Sequence, residues 1–174
     1  MKIVVLNGSP RQGNTLAAAK AFTTALGPQH SFEIIDTYKL KVSPCVACLQ
    51  CQNTKGCIEK DDSNMIVDTL VAADMIVFAS PVYWWGLSAQ LKLVIDKMYC
   101  KAAQMKGKKI GVIVVGGANT DSEQYKLIED QFRMMGNYLN WDIKFHKSYS
   151  ATKPEEIMFN EAAMEELRLI GEAM

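Results

Sequence analysis

The sequence predicts an α/β fold: a doubly wound, five-stranded parallel sheet in the strand order 2-1-3-4-5, covered on both faces by five helices. Two observations lead there. Apolar runs and amphipathic runs alternate along all 174 residues, the rhythm of strand–helix units. The apolar runs are continuous rather than interleaved with polar residues, which marks strands buried on both faces. A chain of 174 residues fits one domain, residues 1–174, and at that size roughly 70% of the unfolded surface can be buried without any staple.

Lys2 to Leu6 is the first strand, β-branched and short, and Gly8 to Gly13 is the loop after it. Asn14 to Leu26 reads as a helix with Ala19, Phe22 and Leu26 on one face, stopped by Gly27-Pro28. Phe32 to Thr37 is the second strand. Val42 to Lys60 has Pro, Gly and Cys without a period and reads as a long loop. A helix over Asp62 to Ala72 leads to the third strand, Met75 to Ala79. Leu87, Leu91, Val94 and Met98 place a helix from Ser88 to about Ala103, and Lys109 to Val115 is the fourth strand. Thr120 and Glu123 have the spacing of a capping box for a helix with the stripe Tyr125, Ile128, Phe132, Met135 and Leu139. Trp141 to Tyr149 is the last strand. Thr152 and Glu155 make a second capping box, with Pro154 in the first turn of the closing helix.

Charge narrows the function classes. Lys plus Arg equals Asp plus Glu, 19 each, so the net charge is zero. That argues against a nucleic-acid binder working by bulk charge and against a strongly acidic electron shuttle steered by its field. The apolar start Ile3–Leu6 is too short for a signal segment, and no run approaches bilayer-spanning length. The chain is therefore expected in the cytoplasm and off the membrane. Five cysteines in a reducing compartment are not a disulfide framework.

In a doubly wound sheet, ligands sit beyond the carboxyl ends of the strands at the switch point. That selects the loops after strands one, three and four. The first is Gly8-Ser9-Pro10-Arg11-Gln12-Gly13-Asn14-Thr15. It runs from a strand to a helix N-terminus, whose free N–H groups and positive dipole end suit a phosphate. Ser9, Asn14 and Thr15 add hydrogen-bonding side chains and Arg11 a charge; the plainer alternative is a turn with a capped helix. It has neither the dinucleotide glycine spacing nor the Walker Lys-Ser/Thr pair. The second is Ser80-Pro81-Val82-Tyr83-Trp84-Trp85-Gly86. Adjacent aromatics cannot all face the core, so at least one is expected in the crevice against a planar ring, unless they only seal helix against sheet. The third, Gly116-Gly117-Ala118-Asn119-Thr120, lets a backbone approach a flat ligand closely and reads equally as a simple turn.

The loop before the third strand holds Cys45, Cys48, Cys51 and Cys57, separated by two, two and five residues. Thiolates so spaced can converge on an iron–sulfur cluster. Structural zinc usually takes two separated pairs. The other reading is four free thiols, buried or redox-reactive. Cys100 lies on a later helix and is expected to be dispensable. His30 and His146 are isolated, and Asp61-Asp62 reads as a helix N-cap pair.

Taken in order, Gly8-Ser9-Pro10-Arg11, Pro44-Cys45 through Cys57 with Asp61-Asp62, and Ser80-Pro81-Val82-Tyr83 followed by Leu91-Lys92 and Asp96 resemble the NAD(P)H-dependent FMN reductase superfamily, specifically its iron–sulfur flavoprotein branch. The resemblance covers about residues 1 to 120. It implies a flavodoxin-like three-layer fold, FMN as cofactor, NAD(P)H as electron donor, and a dimer or tetramer with flavin near a subunit interface. It implies phosphate contacts from Ser9, Arg11, Gly13, Asn14, Thr15 and Leu16, a ring framed by Pro81, Val82, Tyr83, Trp84, Trp85 and Gly86, and Gly117 and Asn119 on its other side. Cys45, Cys48, Cys51 and Cys57 would hold a 4Fe-4S cluster in cluster-bearing members. Lys97 stands where an Arg commonly follows the helix Asp. The expected function is an NAD(P)H-dependent oxidoreductase reducing a flavin, quinone or similar acceptor, with no catalytic side chain because the flavin carries the chemistry. The alternatives are an electron-transfer protein passing electrons through the cluster to a redox protein, and a non-catalytic FMN-binding or thiol redox-sensing module.

Overall fold

Strands alternate their side chains between two faces, so a sheet buried on both sides needs two cores. The computed structural model, which describes residues 1–174, has both. Strands β1 (Lys2–Asn7), β2 (Ser31–Asp36), β3 (Met75–Tyr83), β5 (Lys109–Gly116) and β6 (Asp142–Ser150) form a parallel sheet in the order β2-β1-β3-β5-β6. These five strands follow the expected order. A sixth, β4 (Gly86–Leu87), adds a short antiparallel hairpin to the end of β3. On one face Val4, Leu6, Ile76, Phe78, Ile110 and Val112 meet α2 (Ser63–Val71), α3 (Ala89–Lys97) and α4 (Glu123–Leu139). On the other, Ile3, Val5, Met75 and Val77 meet α1 (Asn14–Thr24) and α5 (Glu161–Glu172). Phe78 anchors the first core, its ring 5.1 Å from Phe132 and 6.0 Å from Trp141. The Trp141 indole N–H donates to Met105 O at 2.8 Å, so this large side chain is buried without an orphaned donor.

Three expectations at helix ends are corrected. The expected box Thr120–Glu123 does not form: Ser122 precedes α4, and no side chain caps its first turn. Thr152 and Glu155 do not open the last helix. Glu155 is left-handed, with φ +63. Glu156 instead accepts from Thr152 N at 2.6 Å and Lys153 N at 2.7 Å, making a tight loop. A 3-10 turn, Glu156–Phe159, follows, and α5 starts at Glu161 with Asn160 capping Ala163 N at 3.0 Å. The helix from Ser88 stops being α-helical at Lys97 and continues as 3-10 turns over Met98–Met105, broken at Lys101. No helix is long and apolar enough to cross a membrane.

Candidate functional site

β1 ends on Asn7, which is fully buried. Its side-chain amide donates to Asp36 Oδ1 at 2.9 Å, and its Oδ1 accepts from Ser9 N at 3.2 Å. Burial raises the Asp36 pKa, but hydrogen bonds from Lys39 and Asn7 outweigh it and hold the carboxyl below its ordinary value. Asn7 thus ties the first loop to β2, a role that inspection of the loop's own residues missed. Gly8 N donates to Ala79 O at 2.7 Å. A Cβ on Gly8 would stand 2.6 Å from Ser88 Oγ and 3.2 Å from Ala79 O, so only glycine lets the chain leave β1 this close to β3. Ser9 Oγ turns back on Arg11, accepting from its N–H at 3.2 Å. Gly13 precedes α1, and no side chain caps the helix. The first-turn N–H groups of Asn14, Thr15 and Leu16 therefore remain the open donors of a helix start. The Asn14 side chain is spent elsewhere: it donates to Lys153 O at 2.8 Å and accepts from Ile157 N at 3.2 Å.

The third-strand loop is a two-residue hairpin. Tyr83 pairs with Gly86, and the residues between them, Trp84 and Trp85, both have positive φ, +46 and +64. This is the sign pattern of a type I′ turn, which Asn-Gly usually occupies. A left-handed non-glycine residue costs roughly 1–2 kcal/mol, and strain of this kind gathers at functional sites. Trp84 is 91% exposed and meets Trp85 edge to face at 5.2 Å. Ser80 holds the hairpin's base: its Oγ accepts from Ser88 N at 3.0 Å and donates to Pro81 O at 2.8 Å.

These loops enclose a cavity of about 360 Å³ beyond the carboxyl ends of β1, β3, β5 and β6. Ser9, Arg11, Gly13, Asn14 and Thr15 line it from the first loop, Pro81, Val82 and Tyr83 from the hairpin, and Gly117 from the fourth. The β6–α5 loop, Ala151 to Glu155, forms a further wall that the sequence reading did not include. Four of its 17 lining residues are hydrophobic, which suits a polar, phosphate-bearing ligand. Leu16 is buried, and Leu16, Trp84, Trp85, Gly86 and Asn119 do not line this cavity.

The cysteine loop forms a second cavity, of about 410 Å³. Its ends are stitched together. Lys41 N donates to Asp62 Oδ2 and Ser43 N to Asp61 Oδ2, each at 2.7 Å, and Asp62 N donates to Lys41 O at 2.9 Å. The Asp61–Asp62 pair is thus a latch on the loop. Asp61 also serves the start of α2, accepting from Ser63 N at 2.9 Å. Burial raises the Asp61 pKa, yet the hydrogen bonds from Ser63 and Ser43 bring it down to about 2. Asn64 grips Cys57 from both sides, its Oδ1 accepting from Cys57 N at 2.8 Å and its Nδ2 donating to Cys57 O at 2.7 Å. Ala47 and Leu49, on either side of Cys48, are left-handed, with φ +53 and +58.

Cys45, Cys48, Cys51 and Cys57 all line this cavity, together with Cys100, Lys97 and the apolar Val46, Leu49 and Ile58. Cys100, expected to be dispensable, is half-buried beside Cys57, and burial pushes its thiol pKa up. As the side chains stand, no three metal-ligating groups converge closely enough to hold an ion. Cys45 and Cys48 are exposed, and Cys51 and Cys57 are half-buried. The donors fit a thiolate-held cluster in kind and in the cavity they share.

Comparison with known proteins adds sequence kinship. The family model described as NADPH-dependent FMN reductase matches residues 1–139. An iron–sulfur flavoprotein of Methanocaldococcus jannaschii is 30% identical over 128 residues, 71% of this chain and 66% of that protein. YwqN of Bacillus subtilis, assigned by name to the NAD(P)H-dependent FMN-containing oxidoreductases, is 27% identical over 174 residues, 94% of this chain and 93% of that protein. Among solved structures, an NAD(P)H:quinone oxidoreductase from Methanothermobacter marburgensis superposes with a TM-score of 0.73 over 99% of this chain and 96% of its own, at 20% identity, a likeness of fold. The matched span is 66% and 68% of the length of two iron–sulfur flavoproteins.

Proposed function

Because the chain belongs to the NADPH-dependent FMN reductase family, we propose that it is an FMN-dependent oxidoreductase taking electrons from NAD(P)H and delivering them to a flavin, a quinone or a similar small acceptor. The observation that carries this reading is the polar cavity at the switch point, where an uncapped helix start faces a hairpin and a glycine loop. FMN fits the cavity chemically. Its phosphate would take the α1 N–H groups, including that of Leu16, together with Ser9, Arg11 and Thr15. Its ring would lie between Pro81–Tyr83 and Gly117. Bound there, FMN supplies hydride and single-electron chemistry. The protein's own work is to fix the phosphate, hold the hairpin backbone against the ring and exclude water, and no side chain is assigned a proton-transfer step. Steady-state oxidation of NADPH or NADH by the FMN-loaded protein with a quinone acceptor tests the reading. FMN binding with no turnover on either nucleotide leaves the non-catalytic flavin module.

Two substitutions separate the cavity's parts. Thr15 is 3% exposed and lines the cavity. Thr15→Ala should weaken FMN binding by about 1.5–3 kcal/mol, the worth of a hydrogen bond to a charged acceptor, with little change in the stability of the FMN-free protein. Asn14→Ala should do the reverse in emphasis. It frees Lys153 and Ile157, so thermal stability without FMN should fall, by about 1–3 kcal/mol for two hydrogen bonds. Isothermal titration with FMN and melting of the FMN-free protein read the two effects.

Trp84, Trp85 and Gly86 lie outside the cavity lining on the hairpin that Tyr83 begins, and Asn119 lies two residues beyond Gly117. We assign Trp84 and Trp85 to a contact with a second copy of the chain near the flavin, because an exposed aromatic pair on strained backbone is costly unless covered. Light scattering should give at least a dimer at micromolar concentration, and a monomer would contradict it.

The cysteine cavity favours a second reading, an iron–sulfur flavoprotein that relays electrons between FMN and a redox partner. All four cysteines of the motif share one apolar-walled cavity. The left-handed Ala47 and Leu49 between them have the backbone conformation of the concave N–H nests found at anion and iron–sulfur sites.

A further inference from the structure

Lys97 is the last residue of α3 and is 3% exposed, yet it ends in the cysteine cavity. Its ammonium has one hydrogen-bond partner, Cys57 Sγ at 3.4 Å. Of the carboxylates lining the cavity, Asp96 is engaged with Lys92 at 2.5 Å. Glu59 lines the same cavity without pairing to Lys97. A buried ammonium is costly unless an anion meets it, and the group it faces is sulfur. Cys57 is also the most firmly placed of the four motif cysteines, its backbone held by both ends of the Asn64 amide. Gly56 allows that grip, since a side chain there would collide with Asn64 Oδ1.

We infer that Lys97 is the charge-compensating residue of an iron–sulfur cluster held by Cys45, Cys48, Cys51 and Cys57, donating a hydrogen bond to Cys57 Sγ and raising the cluster's reduction potential. The inference rests on the second reading above. The physical reason is asymmetric stabilisation. A four-thiolate assembly gains one negative charge when it takes up an electron, and no bond is made or broken. A fixed cation that is itself only 3% exposed, set against one ligand sulfur, therefore favours the reduced state more than the oxidised one. Lysine concentrates its charge in one ammonium at the end of a flexible stem, which suits a contact with a single sulfur.

The test uses the full chain, reconstituted anaerobically with iron and sulfide, as wild type, Lys97→Met, Lys97→Arg and Lys55→Met. Iron per chain is measured, and the cluster is titrated with dithionite under electron paramagnetic resonance. The expected result is full iron in every variant and a lower midpoint potential in Lys97→Met alone. At a fixed potential the ratio of reduced to oxidised cluster should fall about tenfold, a shift of about 59 mV for one electron. Lys97→Arg should restore the wild-type value, and Lys55→Met, an exposed lysine of the same loop, should not move it. If Lys97→Met loses iron while Lys97→Arg keeps both iron and potential, the charge requirement stands. Loss of iron in both, or an unchanged potential in Lys97→Met, overturns the inference and leaves the cluster reading intact. Wild-type protein that takes up no iron overturns both.

Discussion

Serine in place of Cys45, Cys48, Cys51 or Cys57 is expected, in each case separately, to give a protein that binds FMN as before and holds no iron after anaerobic reconstitution. The effect is all-or-none because a cuboidal cluster takes one thiolate at each of four corners. FMN should survive because the two cavities share no lining residue. The stitching of the loop by Asp61 and Asp62 keeps its ends in place whichever cysteine is missing. Cys100→Ser should keep iron, but its position beside Cys57 makes a changed cluster spectrum the expected signature. Four freely alkylated thiols and no iron in the wild type would leave the FMN reductase reading alone.

Gly8→Val should abolish FMN binding and lower stability. The first branch atom already meets Ser88 Oγ at 2.6 Å and the Ala79 carbonyl at 3.2 Å. Ser88 can rotate, but doing so gives up its bond to Leu91 N at the start of α3; Ala79 O is sheet backbone and cannot. The chain would have to part from β3 where Gly8 N now bonds Ala79 O. Overpacking of this kind costs typically 1–3 kcal/mol, and the displaced residues are those leading into the α1 N-terminus. Denaturant unfolding and FMN titration of one preparation should show both losses. Normal FMN affinity in a folded Gly8→Val protein would mean that the phosphate is held elsewhere.

The sheet order was legible because burial on two faces imposes continuous apolar runs, and Met75 to Ala79 is apolar without exception. The first loop was legible for a related reason: a glycine-flanked polar stretch between strand and helix has few other uses. Features built from distant residues were not. Lys97 and Cys57 are 40 apart in sequence, and no local periodicity announces their contact. The Asn14 side chain suggested a phosphate ligand, and only its bond to Lys153 O, 139 residues away, reveals its structural use. The hairpin was hidden because Trp84-Trp85 fills a turn that usually advertises itself as Asn-Gly. The loop after β6 was misread by one residue: Glu155 has capping-box spacing, but Glu156 makes the bonds.

The cavity between the first loop, the Pro81–Tyr83 segment and Gly117 is the proposed FMN site. Titration of the cofactor-stripped protein with FMN, followed by flavin fluorescence and repeated with FAD, tests it most directly. The expected result is one FMN per chain, tighter binding than FAD, and weakening by Thr15→Ala. No saturable FMN binding, or a preference for FAD, would contradict it.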